Sequence, residues 1–598
     1  MKKSFMKKIK RVAATGLALA TMMGTLSACG GGSGSSTDAG STEASTGSSS
    51  TEGGNGSSAF SLINPEDGKR DTLTLTVFSE RANYSGLQEG WSAKLMKDLF
   101  NVELNIVPNA EGAFNTRMES GTMGDIVVFG SEADYMQARD AGLLFDWEED
   151  NTLADYGPYI KEHMSYALEK NRNMSSDGKI YGLGYEVATN SKDLQSFFYT
   201  WDIRWDLYAK LGYPEVKNLD DLLNLFIEMK KICPTDDNGK PTYAASLWPD
   251  WDGDMVMYVK STATAYYGYD EFGVGLYDPS TGTFYGALDD NSPYLQMLDF
   301  YHKLYANDLL DPDSMTTTYD TMIQKVKSSG TFFSIFNYAG CLAYSTAEHM
   351  ESGRMMRSLT PSDASPIVYG LNVLGSNNYW AIGANCEYPE VSMEIINYLC
   401  TPAGRMNFEY GPQGITWDYD EDGNTYFTEL GKKTNSDGST VLEGGGFSGT
   451  FKDGQLQINM TTWSIDASNP DSNGETYNDE SWKSNISEPL CDVDKDWREK
   501  TGCTTTNEYM LKGKYMVSPG SAYVLPIRSD ELKTTWAQVT KCIRENSWKA
   551  IYTKTDEEFT SVVNAMKAQA KGFGYQECWD WSNEQAKARK AAEDAASN

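Results

Sequence analysis

Hydrophobic periodicity from about residue 70 onward predicts an α/β unit. Apolar residues alternate with polar ones over 72–78 and again over 102–106, which predicts two strands. Apolar residues at every fourth position over 91–99 predict an amphipathic helix between them. The segment 125–129 is apolar after its first residue, which is typical of a strand buried on both faces of a parallel sheet. In this order the elements predict an α/β unit with right-handed crossovers.

A second α/β pattern follows further along the chain. Asn218 is the expected N-cap of a helix whose apolar stripe covers 222–227. The segment 331–336 predicts another buried strand, and Pro389 is expected at the start of a further helix, where its missing N–H costs nothing. Strands and helices therefore continue to alternate through the middle of the chain.

The last third of the chain combines loop-like and helical stretches. Residues 416–454 and 464–500 are rich in Gly, Asp, Asn and Ser, so we expect loops or short hairpins there. From 530 to about 595 the apolar residues follow a helical period. No internal repeat is visible in the sequence.

The first 29 residues have the pattern of a secretory signal. Six Lys and Arg residues precede an uncharged run over 12–28, which is too short and too rich in Ala, Gly and Thr for a membrane span. The run ends in Leu-Ser-Ala-Cys, which resembles the lipobox of bacterial lipoproteins. This resemblance implies cleavage before Cys29 and a diacylglycerol on its thiol, so that two acyl chains anchor the protein. The alternative is an ordinary signal peptide with an incidental cysteine.

The residues after Cys29 predict a flexible tether. Positions 30–58 are almost wholly Gly, Ser and Thr, a composition that cannot bury a core. We therefore expect a signal peptide over 1–28 and a lipidated linker over 29–69. The remaining globular body of about 540 residues is long enough for two or more domains. Its expected location is the extracellular face of the cytoplasmic membrane, as in a Gram-positive-type lipoprotein.

The chain is strongly acidic. Its formal net charge is −33, and removal of the six basic leader residues makes it −39. A polyanion of this size disfavours nucleic acid and anionic membrane surfaces as direct partners. We expect a monomer that has no nucleic-acid partner and that meets the membrane through the lipid on Cys29.

Cysteine and histidine usage gives little sign of a metal site. Eight cysteines besides Cys29 permit disulfides outside the cytoplasm, but the sequence does not determine their pairing. Cys491 and Cys503 are close enough along the chain to close a short loop. The three histidines lie far apart and no CxxC pair occurs, so no zinc site is expected.

Several tryptophans lie in polar, loop-like surroundings, which is typical of carbohydrate sites. A flat aromatic ring stacks on the C–H face of a sugar, and neighbouring polar side chains bind its hydroxyls. The alternative for each tryptophan is a place in the core or in a contact between lobes. The residues that this pattern indicates are Trp201, Arg204, Trp205, Trp248, Trp251, Asp252, Trp380 and Trp417.

Short motifs in a fixed order carry a family resemblance. They are GDIVVF at 124–129, DGKIYGL at 177–183, IRWDLYAKLG at 203–212, PE at 389–390, YGPQG at 410–414 and GITWDYDEDG at 414–423. From about residue 70 to the C-terminus the chain resembles bacterial extracellular solute-binding protein family 1, in the large Gram-positive branch of substrate-binding lipoproteins of ABC sugar transporters. The resemblance implies an α/β, two-lobed periplasmic-binding-protein-like fold (type II, maltose-binding-like) with an interlobe cleft and hinge strands.

The resemblance also implies lobe boundaries and ligand contacts. Lobe 1 is expected at 70–190 plus about 380–460, and lobe 2 at about 191–379 plus about 461–598, with the lobes closing over a ligand in the cleft. Tyr338 stands where the maltose-binding pattern has Trp, which implies a different sugar preference. The contacts implied are Glu80, Arg81, Asn83, Ser131, Glu132, Tyr185, Glu186, Asn337 and Tyr338, together with Trp248 and Trp251.

One acidic segment raises a calcium hypothesis. Some members of the resembled family bind Ca²⁺ in an acidic loop where this chain has 236–240. An EF-hand-type loop needs a bidentate acid at its twelfth position, and counting from Asp236 or Asp237 gives Leu247 or Trp248. We therefore expect a plain turn, and neither a metal nor a cofactor.

Three functions remain to be compared. The first is a binding lipoprotein that captures an oligosaccharide or a modified sugar and delivers it to ABC permease subunits without catalysis. The second is a binding protein for a peptide or another solute. The third is a tethered glycoside hydrolase or lyase, which needs a carboxylate pair at a defined separation. The sequence contains no GxSxG motif and no metal-ligand cluster in support of the third.

Overall fold

The computed structural model describes residues 71–596, except Glu111, Ser191, Glu443, Ser521, Ala522, Val524 and Ile527. The predicted signal peptide, the lipidation site Cys29 and the linker up to residue 69 lie outside the described residues. Within 71–596, no helix combines the length and the apolar character that a membrane crossing requires.

Sixteen short strands form five small sheets in the part of the chain that the structure describes. The strands are β1 Leu73–Ser79, β2 Gly86–Leu87, β3 Val102–Pro108, β4 Ile126–Phe129, β5 Gly182–Gly184, β6 Tyr199–Arg204, β7 Asp270–Phe272, β8 Gly275–Tyr277, β9 Phe284–Gly286, β10 Phe333–Phe336, β11 Met356–Ser358, β12 Ile367–Tyr369, β13 Tyr379–Ile382, β14 Trp417–Tyr419, β15 Thr425–Phe427 and β16 Met516–Ser518.

Helices make up most of the remaining regular structure. The α-helices are α1 Gly90–Phe100, α2 Ala113–Ser120, α3 Glu132–Asp140, α4 Thr152–Tyr156, α5 Pro158–His163, α6 Ser165–Met174, α7 Trp205–Lys210, α8 Leu219–Ile232, α9 Met257–Tyr267, α10 Pro293–Ala306, α11 Tyr319–Lys327, α12 Cys341–Tyr344, α13 Ala347–Glu351, α14 Pro389–Cys400, α15 Pro402–Tyr410, α16 Glu429–Ser436, α17 Phe451–Gly454, α18 Lys483–Ile486, α19 Asp492–Thr501, α20 Thr506–Lys512, α21 Asp530–Ile551, α22 Asp556–Gly572 and α23 Tyr575–Ala596. Short 3-10 helices lie at Glu149–Asn151, Ser314–Thr316 and Asp479–Ser481.

Lobe 1 is built on a six-stranded sheet with the order β2-β3-β1-β4-β13-β5. Strand β1 is parallel to both β3 and β4, and β13 runs antiparallel to β4. Ile126 and Val128 of β4 pack into the core on one face, whereas Val127 and Phe129 pack into the core on the other face. This burial on both faces confirms the prediction made from the apolar run at 125–129.

Lobe 2 has its own core around the antiparallel sheet β10-β6-β11. Helices α8, α9 and α10 and the C-terminal helices α21 to α23 contribute buried residues to that core. The predicted cap of α8 is present, because the Asn218 side chain accepts hydrogen bonds from the backbone N–H groups of Asp220 and Asp221, each at 3.0 Å.

The chain passes between the two cores three times. The first passage lies between Ala188, in the lobe 1 core, and Trp201, in the lobe 2 core. The return passage, which contains β12, pairs with it through Gln195 N–H to Tyr369 C=O at 2.8 Å. The third passage lies between residues 482 and 491. Two cores joined by three connecting segments, two of them paired, form the two-lobed α/β fold that the family resemblance implied.

The third passage corrects one predicted boundary. The resemblance implied lobe 2 at about 461–598, but Trp463, Ala467, Tyr477 and Trp482 belong to the core of lobe 1. Residues 461–482 therefore extend lobe 1, and lobe 2 resumes near Cys491. Residues 461–482 are mostly polar and show no periodic apolar pattern, so the sequence did not indicate which core they pack against.

Other sequence predictions have mixed outcomes. The strands at β1 and β3 and the helices at α1, α14 and α21 to α23 are confirmed. The loop prediction for 464–500 is wrong at α19, a helix that buries only Asp494 and Trp497. Cys491 and Cys503 do not form the disulfide that their spacing would allow, and both are buried as free thiols. The remaining six described cysteines are free as well.

Candidate functional site

The carboxyl ends of β1 and β4 form one wall of the candidate site. Glu80 and Arg81 follow β1, and Ser131 and Glu132 follow β4 after Gly130. Because β1 and β4 are parallel neighbours, these side chains meet at the same edge of the lobe 1 sheet. The Glu80 Oε2 atom accepts the Gly130 N–H at 2.7 Å and ties the two loops together.

Arg81 is held by three groups from distant segments. Its Nε donates to the Asn459 carbonyl at 2.9 Å, and its guanidinium lies 5.2 Å from the centre of the Tyr185 ring. In the orientation that satisfies both ends of its amide, Asn378 accepts from Arg81 Nη1 at 2.7 Å and donates to the Gly130 carbonyl at 2.7 Å. A guanidinium fixed in this way can offer its remaining N–H groups to a ligand. The sequence did not indicate Asn378 or Asn459.

Glu80 carries an unused acceptor. Its Oε1 atom is buried and has no hydrogen-bond partner among the described residues. Burial raises the pKa of Glu80 to about 7, against the opposing effect of the Gly130 N–H. A buried carboxylate oxygen without a partner is costly, which is why such an atom indicates a place for a donor from a ligand or a water molecule.

Glu186 lies where the chain leaves lobe 1. It adopts a left-handed backbone conformation with φ of 53°, which few non-glycine residues adopt without a local reason. Burial raises the pKa of Glu186, while hydrogen bonding from Tyr185 lowers it. Glu186, Tyr185 and Arg81 thus extend the polar wall to the beginning of the first passage.

An aromatic surface in lobe 2 is the second part of the candidate site. Trp251 is 40% exposed and stacks on Tyr319, with ring centroids 4.6 Å apart and an interplanar angle of 24°. Trp248 is fully buried and meets Trp251 edge-on at 5.4 Å. Behind them Tyr338 stacks on Phe336 at 5.2 Å. The Trp251 indole is therefore exposed to solvent on one side and packed against other aromatic rings on the other.

The polar wall and the aromatic surface border the same passage between the lobes. Tyr185 lies just before the first passage, and Phe198 lies at its other end. The Phe198 ring is 5.6 Å from the Tyr338 ring, so the passage ends against the aromatic surface. The fold therefore places the polar wall at the beginning of the first passage and the aromatic surface at its end, and a junction between two lobes is the usual place for a ligand cleft.

Four predicted tryptophans are not in this site. Each is buried, and its Nε1 donates to a group inside its own lobe, so these predictions are corrected. The bonds are Trp201 to the Ala265 carbonyl at 3.0 Å, Trp205 to Asp496 at 2.7 Å, Trp380 to the Thr461 carbonyl at 2.8 Å and Trp417 to the Gly411 carbonyl at 2.7 Å.

Two charged residues predicted to bind ligand already have protein partners. Arg204 is buried and forms a bidentate pair with Asp206, at 2.8 and 2.7 Å. Asp252 accepts the Trp548 Nε1 at 2.7 Å and the Met257 N–H at 2.7 Å. These two predictions are corrected as well, because neither side chain is left for a ligand.

The remaining predicted contacts lie in both lobes: Asn83, Ser131 and Glu132 follow β1 and β4 of lobe 1, and Asn337 follows β10 of lobe 2. Asn83 is exposed and Asn337 is half-buried. Ser131 caps α3 by accepting the Asp134 N–H at 3.1 Å. Glu132 accepts the Tyr379 hydroxyl at 2.7 Å. Of these four, Asn83 and Asn337 retain the most freedom to meet a ligand.

The segment at 236–240 forms the predicted turn. Asp236 accepts the backbone N–H groups of Asn238 and Lys240, both at 2.8 Å. Asp237 pairs with Arg354 at 2.6 Å, so a protein cation faces this carboxylate. Across the described residues, no group of three or more His, Cys, Asp and Glu side chains is arranged to hold a metal ion.

Glu80→Gln is expected to stabilise the protein at pH 8 and to leave it unchanged at pH 4.5. The pKa of Glu80 is raised to about 7, so the native state holds this proton more tightly than the unfolded chain does. Stability is therefore lost as the pH rises from the unfolded pKa through the native one. After a discount for partial exposure, the neutral amide should recover about 2 kcal/mol at pH 8.

Urea unfolding of the unchanged protein and of Glu80→Gln at pH 4.5 and pH 8 measures this difference in stability. Glu119→Gln, at an exposed position of α2, is the matched control and should change stability equally little at both. An effect of Glu80→Gln that is the same at pH 4.5 and pH 8 would contradict the burial argument.

Solved structures with the same fold include several solute-binding proteins. An HMO-binding ABC-transporter-associated solute-binding protein from Bifidobacterium longum infantis matches with TM-score 0.51 and 15% identity, over 87% of this chain and 99% of its own. An extracellular solute-binding protein from B. longum subsp. infantis matches with TM-score 0.54 and 14% identity, over 87% and 99%.

A third match comes from Streptococcus pneumoniae. The ABC-transporter substrate-binding protein FusA, as an EF-hand mutant in complex with fructo-nystose, matches with TM-score 0.51 and 15% identity, over 87% of this chain and 99% of its own. No family model and no curated protein matches the sequence. At these identities the likeness shows the two-lobed solute-binding fold.

Proposed function

We propose that this protein is an extracellular substrate-binding lipoprotein that captures a carbohydrate between its lobes and delivers it to an ABC importer. It catalyses no reaction, and the permease subunits recognise its closed, ligand-bound conformation. Cys29 carries the lipid that holds the protein at the outer face of the cytoplasmic membrane. The ligand is an oligosaccharide or a modified sugar.

The observation that carries this proposal is the exposed Trp251 ring of lobe 2, at the other end of the first passage from the polar wall of lobe 1. An apolar ring face, with fixed hydrogen-bonding groups a short passage away, matches the two kinds of surface on a sugar. Trp251 and Tyr319 supply the ring face. Arg81 supplies donors, and the unpartnered oxygen of Glu80 supplies an acceptor.

Lobe closure would bring the aromatic surface of lobe 2 and the polar wall of lobe 1 onto the same ligand. Hinge closure about a few connecting segments is an established mode of ligand capture. A sugar stacked on Trp251 would recruit the lobe 1 wall as the lobes approach. Two of the three structural matches are named for a saccharide or bound to one, which supports carbohydrate as the ligand class.

A thermal-shift screen tests the proposal. The panel contains kestose, maltotriose, cellotriose, mannotriose and lacto-N-tetraose, with a mixture of tri- to hexapeptides as the comparison. A saccharide at 100 times its dissociation constant should add about 2.7 kcal/mol of stability. A shift with peptides alone would favour the second function. Release of reducing ends from a panel saccharide would favour the hydrolase.

A further inference from the structure

The loop that carries Trp251, residues 249–256, is attached to one face of α21. Three side chains of this helix donate hydrogen bonds to the loop: Trp536, Arg544 and Trp548. At 3.6 residues per turn, their spacings of eight and four residues place them on the same side of the helix, within an arc of about 120°. We call these three residues the α21 face.

Two of the three bonds join an indole N–H to a carboxylate. Trp536 Nε1 donates to Asp254 Oδ2 at 2.8 Å, and Trp548 Nε1 donates to Asp252 Oδ2 at 2.7 Å. The other oxygen of Asp252 accepts the Met257 N–H at 2.7 Å, at the start of α9. Bonds to a charged acceptor are stronger than bonds between neutral groups, so each carboxylate is firmly placed.

Backbone groups of the loop are held by the same helix. Arg544 Nη1 donates to the Gly253 carbonyl at 2.6 Å. Beyond the exposed part of the loop, the Val256 N–H donates to the Tyr294 hydroxyl at 3.2 Å, and that hydroxyl donates to Ser547 Oγ at 2.9 Å. Four positions of α21 therefore hold the part of the loop that follows Trp251: 536, 544 and 548 directly, and 547 through Tyr294 of α10.

The upper end of the α21 face is itself braced. The Arg528 guanidinium lies 3.5 Å from the centre of the Trp536 ring and 5.0 Å from that of Trp581. It also lies 3.9 Å from Asp254. Because the Trp536 ring contacts both this guanidinium and the edge-on Trp581 ring, Trp536 has little freedom to release the loop.

We infer that Trp536 and Trp548 are positioning residues that hold the Trp251 ring in its ligand-binding place through Asp254 and Asp252. This inference rests on the proposed function, in which Trp251 contacts the saccharide. An exposed loop containing Gly253 would otherwise sample many conformations, and a ligand would have to order it on binding. Asp252 and Asp254 thus act on the protein and not on the sugar.

The test compares Trp536→Phe/Trp548→Phe with Trp579→Phe. The double variant keeps two aromatic rings and removes both N–H donors to the loop. Trp579 Nε1 donates to Asp289 at 3.0 Å in the same lobe but away from the loop, which makes Trp579→Phe a matched loss of an indole–carboxylate bond. Amide hydrogen exchange of residues 249–256 is measured in the protein without saccharide.

The double variant should exchange hydrogen at 249–256 at least about tenfold faster, and the control should not change there. Affinity for the panel saccharide with the largest thermal shift should fall by about tenfold in the double variant only. Unchanged exchange in the loop, or faster exchange with unchanged affinity, would overturn the inference. If no panel saccharide binds, the proposed function fails, while the exchange data still decide whether the α21 face holds the loop.

Discussion

Trp251→Ala should weaken saccharide binding by about 100-fold, which corresponds to about 2.7 kcal/mol. Loss of a large aromatic anchor at the centre of a binding surface commonly costs 2 kcal/mol or more. The fold should survive, because the side chain is 40% exposed and rests on Tyr319 rather than within the core. The alanine removes the ring face and leaves the rest of the lobe 2 surface in place.

Isothermal titration with the best panel saccharide measures the affinity, and urea unfolding measures the fold. Phe573→Ala is the control, since Phe573 is an aromatic residue of lobe 2 with 38% exposure at the end of α22. It should leave the affinity unchanged. If both variants bind as tightly as the unchanged protein, Trp251 is not a contact and the site must lie elsewhere.

Strands and helices could be predicted wherever packing imposes a period on the sequence. β4 is buried on both faces and is therefore apolar throughout, and α14 buries Val391, Ile395 and Leu399 at a helical spacing. In contrast, α19 buries little besides Trp497, so its sequence is mostly charged and shows no stripe. A helix that covers a core with a single indole cannot be told from a polar loop by periodicity.

The fate of each tryptophan could not be predicted, because an indole in polar sequence has two good environments. Its N–H can be satisfied by a buried carbonyl as readily as by water, as for Trp417 and the Gly411 carbonyl. Trp248 and Trp251 are three residues apart, yet one is fully buried and the other is exposed. Local sequence does not contain that difference, which arises from the rings packed around them.

The polar wall was predicted in part for a related reason. Glu80 and Arg81 come directly after β1, so the carboxyl edge of a parallel sheet points to them. Asn378 and Asn459 reach the same place from segments about 300 and 380 residues further along the chain. Only the folded chain reveals that they hold Arg81, and no local motif marks them.

Trp380→Ala should have the opposite effect to Trp251→Ala, with a loss of about 4 kcal/mol of folding stability. Trp380 lies in β13, between β4 and β5, and is fully buried in the core of lobe 1. The substitution opens a cavity the size of an indole and leaves the Thr461 carbonyl without its donor. A large loss of stability is expected because strands pair with β13 on both sides and cannot close the cavity.

Urea unfolding followed by far-ultraviolet circular dichroism measures this loss as a lower midpoint at an unchanged slope. Trp380→Phe fills most of the space and should lose only about 1 to 2 kcal/mol, which separates the cavity from a failure to fold. In the folded fraction at low temperature, the affinity of Trp380→Ala for saccharide should stay within about threefold of the unchanged protein. A stable Trp380→Ala protein that has lost saccharide binding would show that this indole faces the ligand, and the placement of the site would then be wrong. The two alanine variants together therefore test the division of the tryptophans into core and ligand-binding surface. Trp251→Ala should lose affinity and keep its stability, whereas Trp380→Ala should lose stability and keep its affinity.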